Sequence, residues 1–324
     1  FLSPSTPLLT NTGTDYGMSV SCSGAYVPDS VLGFYNTRKQ NALLTKEGFG
    51  TSAYIGDVRP RGSKMKNGEA SGAQPVARMF VTDSMDISQG SARRGATAWY
   101  YPIDGDDFNE LVHYLETFTD GNNAGWCISD DFRDKLLAGD KEAVKRWGQM
   151  LSCKGNVGSG YQFFVDKVNR ANPPMYKDKG LEVKASNLCS EITLFSDEEN
   201  TFTCVLSSEN LRYWDTRPDN LAFVGTVFLD CVVSDFVEGA KGVEGLEQAV
   251  KFTEESRALG YGAMAFHTYL LDNNIVWGSL ESQYINELMF STIKKEATEA
   301  TEWLAKVMGE PELCKGYGVR NTHL

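Results

Sequence analysis

The sequence is poor in metal-binding groups. Its 324 residues include three histidines, and the seven cysteines (Cys22, Cys127, Cys153, Cys189, Cys204, Cys231 and Cys314) contain no Cys-x-x-Cys pair. The usual zinc spacings are therefore absent, and no metal ligand set is expected. An odd number of widely spaced cysteines is also unlike the disulfide framework of a small secreted domain. A reducing, cytoplasmic setting is the expectation, with any disulfide there transient and catalytic. No apolar run reaches 18 residues and no signal peptide is visible, so neither a membrane span nor a membrane partner is expected. Positive charge is also short, with 31 Lys and Arg against 43 Asp and Glu for a net charge of -12. That balance argues against binding to a nucleic-acid backbone, which needs clustered Lys and Arg. A small nucleotide needs only a few local donors and stays possible. Proline is modest at 10 residues, and with 31 glycines the chain is not of low complexity.

What is present suits one large α/β domain or two smaller ones: 41% of residues are hydrophobic, enough for a sizeable core. Residues 1–30 are turn-rich before a β-prone run from Val20 to Val27. Val31, Phe34 and Tyr35 have helical spacing and predict a helix over 30–46. Residues 48–75 carry Gly, Arg and Lys without periodicity. A helix is expected over 76–88, a Gly/Arg loop over 89–95 and a strand from Ala96 to Tyr101. Helices are expected over 105–119 and 129–152, separated by a loop at Gly121–Gly125. Residues 181–206 read as two short strands around the acidic turn Ser196–Asn200. A helix broken by Gly260 and Gly262 is expected over 244–272, and the clearest helix over 282–308. Residues 320–324 read like the entry to a strand. No repeat and no strong linker divides the chain, and alternating strands and helices suggest a barrel or a wound sheet.

The most informative string is Asn187-Leu188-Cys189-Ser190-Glu191-Ile192. If it is extended, Asn187, Cys189 and Glu191 share one face. A carboxylate beside a thiol tends to raise the thiol pKa, so the set suits a neutral S–H or a sulfur radical better than a thiolate nucleophile. The plainer reading is a half-buried strand in which cysteine is a small hydrophobe.

This string resembles the N-L-C-x-E-I signature of ribonucleotide reductase large subunits. Ser3-Pro4-Ser5-Thr6-Pro7 with Asn11, Gly13 and Thr14 resembles the family's S-P-x-T-P-x-x-x-N-x-G-T segment, and Ser21-Cys22 its S-C pair. Val168-Asn169-Arg170-Ala171-Asn172-Pro173, the run from Cys204 to Leu211, Arg257 to Gly262 and Arg320 to Leu324 are similar to later family segments, in the right order. The resemblance implies the ten-stranded α/β barrel of that family over 1–324 as a single catalytic domain, incomplete at its C-terminal end, with a radical cysteine on a central loop. It implies that Cys189 takes a hydrogen from C3′ of the substrate ribose, that Glu191 is the base at the 3′-hydroxyl and that Asn187 holds substrate hydroxyls. Cys22 and Cys204 would be the redox pair, and Thr6 and Ser21 would contact substrate. The chemistry fits these residue types: a thiyl radical must sit close to one C–H bond, and a dithiol supplies two electrons by closing a disulfide. Cys127, Cys153, Cys231 and Cys314 match no motif and are expected to be structural.

Two Gly/Arg loops, 48–63 and 89–95, are open to two readings: solvated surface loops, or backbone and guanidinium donors for a phosphate. The resemblance implies a specificity site for a deoxynucleoside triphosphate or ATP at a homodimer interface. There Asp29 would meet the sugar or base, Lys46 and Arg59 the phosphates, and Gln89 and Arg93 would relay effector identity to the substrate. It further implies a radical supplied by a small metallo-subunit, or by adenosylcobalamin in the alternative class, and thioredoxin or glutaredoxin as reductant. A non-catalytic nucleotide-binding regulator on the same fold and a cysteine hydrolase are the competing readings. The chain opens on Phe1 and reads as a fragment at both ends, expected to be inactive alone.

Overall fold

The computed structural model describes residues 1–15, 17–87 and 94–324. Along the chain the elements are β1 (Leu2–Pro4), α1 (Thr6–Asn11), β2 (Cys22–Tyr26), α2 (Val31–Lys46), β3 (Gly50–Tyr54), β4 (Lys64–Met65), β5 (Gly68–Glu69), α3 (Ala73–Asp86), β6 (Thr97–Pro102), α4 (Phe108–Thr117) and β7 (Asn122–Cys127). They continue with α5 (Asp130–Leu137), α6 (Lys141–Val157), β8 (Tyr161–Phe163), α7 (Val165–Ala171), α8 (Pro174–Lys179), β9 (Phe202–Asn210), α9 (Leu221–Ala240), α10 (Glu247–Ser256), β10 (Leu259–Met264), α11 (Phe266–Asp272) and α12 (Leu280–Met308). Two compact units result. A central unit comprises Cys22–Thr203 with Gly242–Ala249, and a terminal unit comprises Phe1–Ser21, Cys204–Lys241 and Val250–Leu324.

The central unit is built on five parallel strands in the order β2-β3-β6-β7-β8. Parallel strands are covered on both faces, so their sequences do not alternate between apolar and polar. This is why β3, with Thr51 and Ser52 in its middle, shows no apolar period although all five of its residues are buried. The register sorts the side chains. Ala53, Trp99, Tyr101 and Trp126 point to the side covered by helices, where they form one core with Phe80, Phe108 and Leu111. Trp99 packs edge-on against Trp126 at 5.3 Å, and its buried indole N–H donates to Asn122 Oδ1 at 2.8 Å. Ser52, Ala98, Tyr100 and Gly125 point to the other side.

Several expectations give way to tertiary context. Gly121–Gly125 was expected as a loop, yet residues 122–127 form β7. Pairing with β6 (Thr97↔Asn122 through Pro102↔Cys127) supplies the backbone partners, and Gly125 leaves the space that Tyr100 fills. A Cβ on Gly125 would lie 2.1 Å from Tyr100 Cε1. The single helix expected over 129–152 is two, because Asp140 caps a new one by accepting from Glu142 N and Ala143 N. The helices over 30–46, 76–88, 105–119 and 282–308 and the strand at 96–101 stand, within a few residues, as expected.

In the terminal unit, β9 pairs antiparallel with β1 and parallel with β10. Gly260 and Gly262 therefore lie in a strand rather than breaking a helix. Residues 320–324 form no strand; the Leu259 N–H donates to the His323 carbonyl, and side chains do the rest. Arg257 donates to Asp230 from Nε and Nη2, both at 2.8 Å, Arg320 Nε donates to Asp230 Oδ2 at 3.0 Å, and Asn321 Nδ2 donates to Asp230 Oδ1 at 3.0 Å. One buried carboxylate on α9 thus gathers two segments that the sequence singled out, Arg257–Gly262 and Arg320–Leu324. Thr301 Oγ1 on α12 accepts from both Arg320 N and Asn321 N. Among the described residues no helix is long and apolar enough to cross a membrane.

Two outcomes follow for stability. Gly125→Ala overpacks against Tyr100 and costs about 1–3 kcal/mol, read as a lower denaturation midpoint. Burial pushes the Asp230 carboxyl up, but Arg257 and Arg320 outweigh it and hold it below the usual value of 3.8. A depressed carboxyl stabilises the fold above its unfolded pKa and loses that contribution as pH falls through the folded one. Asp230→Asn should therefore cost roughly 3–5 kcal/mol at neutral pH, because two guanidinium groups lose their counter-charge. It should also flatten the stability curve below about pH 4, and an unchanged acid limb in the variant would contradict the assignment.

Candidate active site

Of the two short strands expected in 181–206, the one after the turn at 196–200 is present as β9 (Phe202–Asn210), while 181–201 contains none among the described elements. The string 187–192 is instead a tight turn, and local side-chain chemistry explains it. Ser190 N donates to the Asn187 carbonyl at 3.2 Å, with Ser190 in the left-handed region at φ 68. Asn187 Oδ1 accepts from Glu191 N at 3.1 Å and Ile192 N at 3.2 Å, while Nδ2 donates to Glu191 Oε1 at 2.8 Å. Ser186 Oγ closes the base, donating to the Ile192 carbonyl at 2.6 Å and accepting from Ile192 N at 3.1 Å. Asn187 and Glu191 thus meet across a turn, where an alternating strand with Cys189 between them on a common face was expected. Cys189 and Glu191 are exposed at the tip, and Asn187 is wholly buried beneath them.

The turn is fastened to the sheet by side chains that motif reading missed. Ser52 Oγ donates to the Ser186 carbonyl and Tyr100 Oη to the Asn187 carbonyl, both at 2.7 Å. Cys127 Sγ donates to the Lys184 carbonyl at 3.2 Å. The donors come from the adjacent strands β3, β6 and β7. Burial pushes the Tyr100 hydroxyl and the Cys127 thiol well above their ordinary values, so both stay protonated donors. Upstream, Asn169 Nδ2 donates to the Val183 carbonyl and Oδ1 accepts from Val183 N, both at 2.9 Å. Asn169 belongs to the Val168–Pro173 run noted in the sequence, and its work is to hold the segment that leads into the turn. Lys184 Nζ pairs with Asp57 Oδ2 at 2.5 Å and sits 4.8 Å from the Tyr26 ring centroid. The signal that could have found these anchors is the requirement that a buried irregular backbone be given partners.

The other proposed residues distribute as follows. Cys22, buried, opens β2 opposite Gly50 and lies by register on the sheet face of Ser52 and Tyr100, the face that carries the turn. Cys204 is buried in the terminal unit, where Gly260 leaves its sulfur room; a Cβ there would lie 3.4 Å from Cys204 Sγ and 2.4 Å from Leu206 Cδ2. Thr6 is the exposed first residue of α1. The Oγ atoms of Ser5 and Ser21 are buried with no hydrogen-bond partner among the described residues, which marks them as hydroxyls able to take one.

Of the residues proposed for an effector, the structure brings two together. Arg59 Nε donates to Asp29 Oδ2 at 2.6 Å, on the wall of a cavity of about 540 Å³ that Phe34, Tyr35, Val76 and Met79 also line. Lys46 does not join them within one chain: it ends the 16-residue α2, whose N-terminus follows Asp29, roughly 24 Å away along the axis. Gln89 and Arg93 lie outside the described residues.

The profile of the ribonucleotide reductase barrel domain matches residues 20–144 and 134–323. The putative ribonucleoside-diphosphate reductase large subunit of frog virus 3 is 32% identical over 99% of this chain and 60% of its own length. The large subunit of invertebrate iridescent virus 3 is 26% identical, with 100% and 62% covered. The vitamin B12-dependent ribonucleoside-diphosphate reductase of Thermoplasma acidophilum is 28% identical, with 94% and 42% covered. The solved structure of the class Id ribonucleotide reductase alpha subunit of Actinobacillus ureae superposes with a TM-score of 0.93 at 38% identity, covering 99% of this chain and 61% of that one. The chain thus spans about 60% of the length of the viral large subunits and of this alpha subunit. The α/β fold expected from the sequence is the fold of these proteins, and the chain belongs to the ribonucleotide reductase family through its barrel domain.

Proposed function

We propose that this chain is the catalytic core of a ribonucleoside-diphosphate reductase large subunit. The observation that carries the reading is the pinned turn, which holds a thiol two residues from a carboxylate that is itself clasped by Asn187. In this reading residues 1–324 act as one catalytic domain and Cys189 works as a thiyl radical. It takes hydrogen from C3′, forming S–H as C3′–H breaks. Glu191 accepts the 3′-hydroxyl proton while the 2′-hydroxyl takes a proton from one thiol of the Cys22 and Cys204 pair and leaves as water. The second thiol of the pair delivers a hydrogen to C2′. The pair closes to a disulfide as its remaining electron passes to C3′, with the proton held by Glu191 returning to the 3′-oxygen. The Cys189 S–H then returns its hydrogen to C3′, which restores the thiyl radical. Asn187 spends most of its amide on the turn; one Nδ2 hydrogen is left for a substrate hydroxyl. Thr6 and Ser21 bind substrate, and Ser21 brings an unsatisfied buried hydroxyl to that task.

The radical comes from a small metal-bearing subunit, the arrangement of class I enzymes. The B12-dependent relatives make adenosylcobalamin the alternative source. Thioredoxin or glutaredoxin reopens the disulfide, and the setting is cytoplasmic. Asp29 and Arg59 form part of a deoxynucleotide or ATP effector site in a homodimer, with Lys46 contributed across the dimer rather than within one chain, and Gln89 and Arg93 relaying to the substrate. The segments that complete the relatives are required for turnover.

In the complete enzyme, Cys189→Ser should abolish deoxynucleotide formation while leaving stability within about 0.5 kcal/mol, since the residue is exposed. Glu191→Gln should lower kcat by about 10²- to 10⁴-fold. Turnover that survives Cys189→Ser would contradict the radical role of Cys189, and nucleotide binding without any deoxynucleotide formation in the unmutated complete protein would favour the regulator reading.

A further inference from the structure

The turn that carries Cys189 has no strand pairing of its own, so its position relative to the sheet depends on a few hydroxyl donors. We infer that Tyr100 is a positioning residue for the reaction: its hydroxyl, through the Asn187 carbonyl, sets where Cys189 and Glu191 stand. The inference rests on the role proposed for those two residues.

Three observations carry it. Tyr100 Oη reaches the Asn187 carbonyl at 2.7 Å, and that same oxygen accepts the turn-closing N–H of Ser190. The hydroxyl therefore grips the atom on which the turn closes. The ring cannot move away: it is fully buried, fills the space left by Gly125 and meets Phe163 edge-on at 6.0 Å. The Asn187 side chain then passes the constraint to Glu191 through its amide. Ser52 provides a parallel grip one residue earlier, so loss of Tyr100 alone loosens the turn without unfolding it. Tyr101 is an internal control. It lies on the same strand with its side chain toward the helix side, and its oxygen accepts from Asp107 N at 3.2 Å.

The test compares Tyr100→Phe with Tyr101→Phe, each of which removes one oxygen and keeps the ring. In the chain itself, Tyr100→Phe should speed hydrogen exchange at the Ser190, Glu191 and Ile192 amides about tenfold, the scale of one lost hydrogen bond, and change the rate of Cys189 alkylation by iodoacetamide. Tyr101→Phe should leave both at wild-type values. In the complete enzyme, Tyr100→Phe should lower kcat tenfold or more with KM unchanged. Wild-type exchange at residues 190–192 in Tyr100→Phe overturns the inference. So does altered exchange with unaltered kcat, in which case the reaction scheme still stands on the loss of activity in Cys189→Ser. Activity that survives Cys189→Ser refutes the scheme itself, whatever the exchange rates say about Tyr100.

Discussion

The central unit depends on how a buried, irregular backbone obtains hydrogen-bond partners. A segment that leaves regular structure inside a protein carries its N–H and C=O groups with it, and each left unmet costs on the order of 1–3 kcal/mol. Between Val183 and Ile192 the protein meets that requirement with side chains. Asn169 takes both backbone groups of Val183, Cys127, Ser52 and Tyr100 take carbonyls of 184, 186 and 187, and Ser186 and Asn187 close the turn on themselves. Each of these groups has a fixed geometry, so the turn has one position. A reacting sulfur needs that property, because an error of about 1 Å in placement costs orders of magnitude in rate.

The same logic explains the composition of the strands beneath. β3 and β6 carry Ser52 and Tyr100 on the face that bears the turn and Ala53 and Trp99 on the face that bears the helices. Gly125 is small because Tyr100 must lie flat across it. A strand pattern that looks irregular as a hydrophobic signal is regular once each face is given its job. The terminal unit repeats the approach with charge: Asp230 gathers Arg257, Arg320 and Asn321, so a buried ion cluster holds the residue that leads into β10 and the unpaired segment at 320–321.

Most of the helices and the fold class were legible in the sequence because amphipathic helices advertise themselves by period. The strands β3, β7 and β10 were not, since Thr51, Ser52, Gly125 and Gly260 read as loop or breaker residues until their neighbours are known. The sequence reading put Asn187, Cys189 and Glu191 on one face of a strand; the structure instead brings Asn187 and Glu191 into contact across a turn. The anchors Ser52, Tyr100 and Cys127 were invisible because their partners are carbonyls 57 to 134 positions away. Asp29 and Arg59 meet within one chain, whereas Lys46 stands at the other end of α2 from Asp29.

In the proposed reaction Cys22 and Cys204 are the electron source for chemistry that Cys189 initiates. The most direct measurement is a single turnover of the complete enzyme with ribonucleotide substrate and no external reductant, followed by mass spectrometry of the cysteines. The expected result is one Cys22–Cys204 disulfide per deoxynucleotide formed, with Cys189 recovered as a thiol. Deoxynucleotide formed with both cysteines still reduced, or with Cys189 in the disulfide, would contradict it.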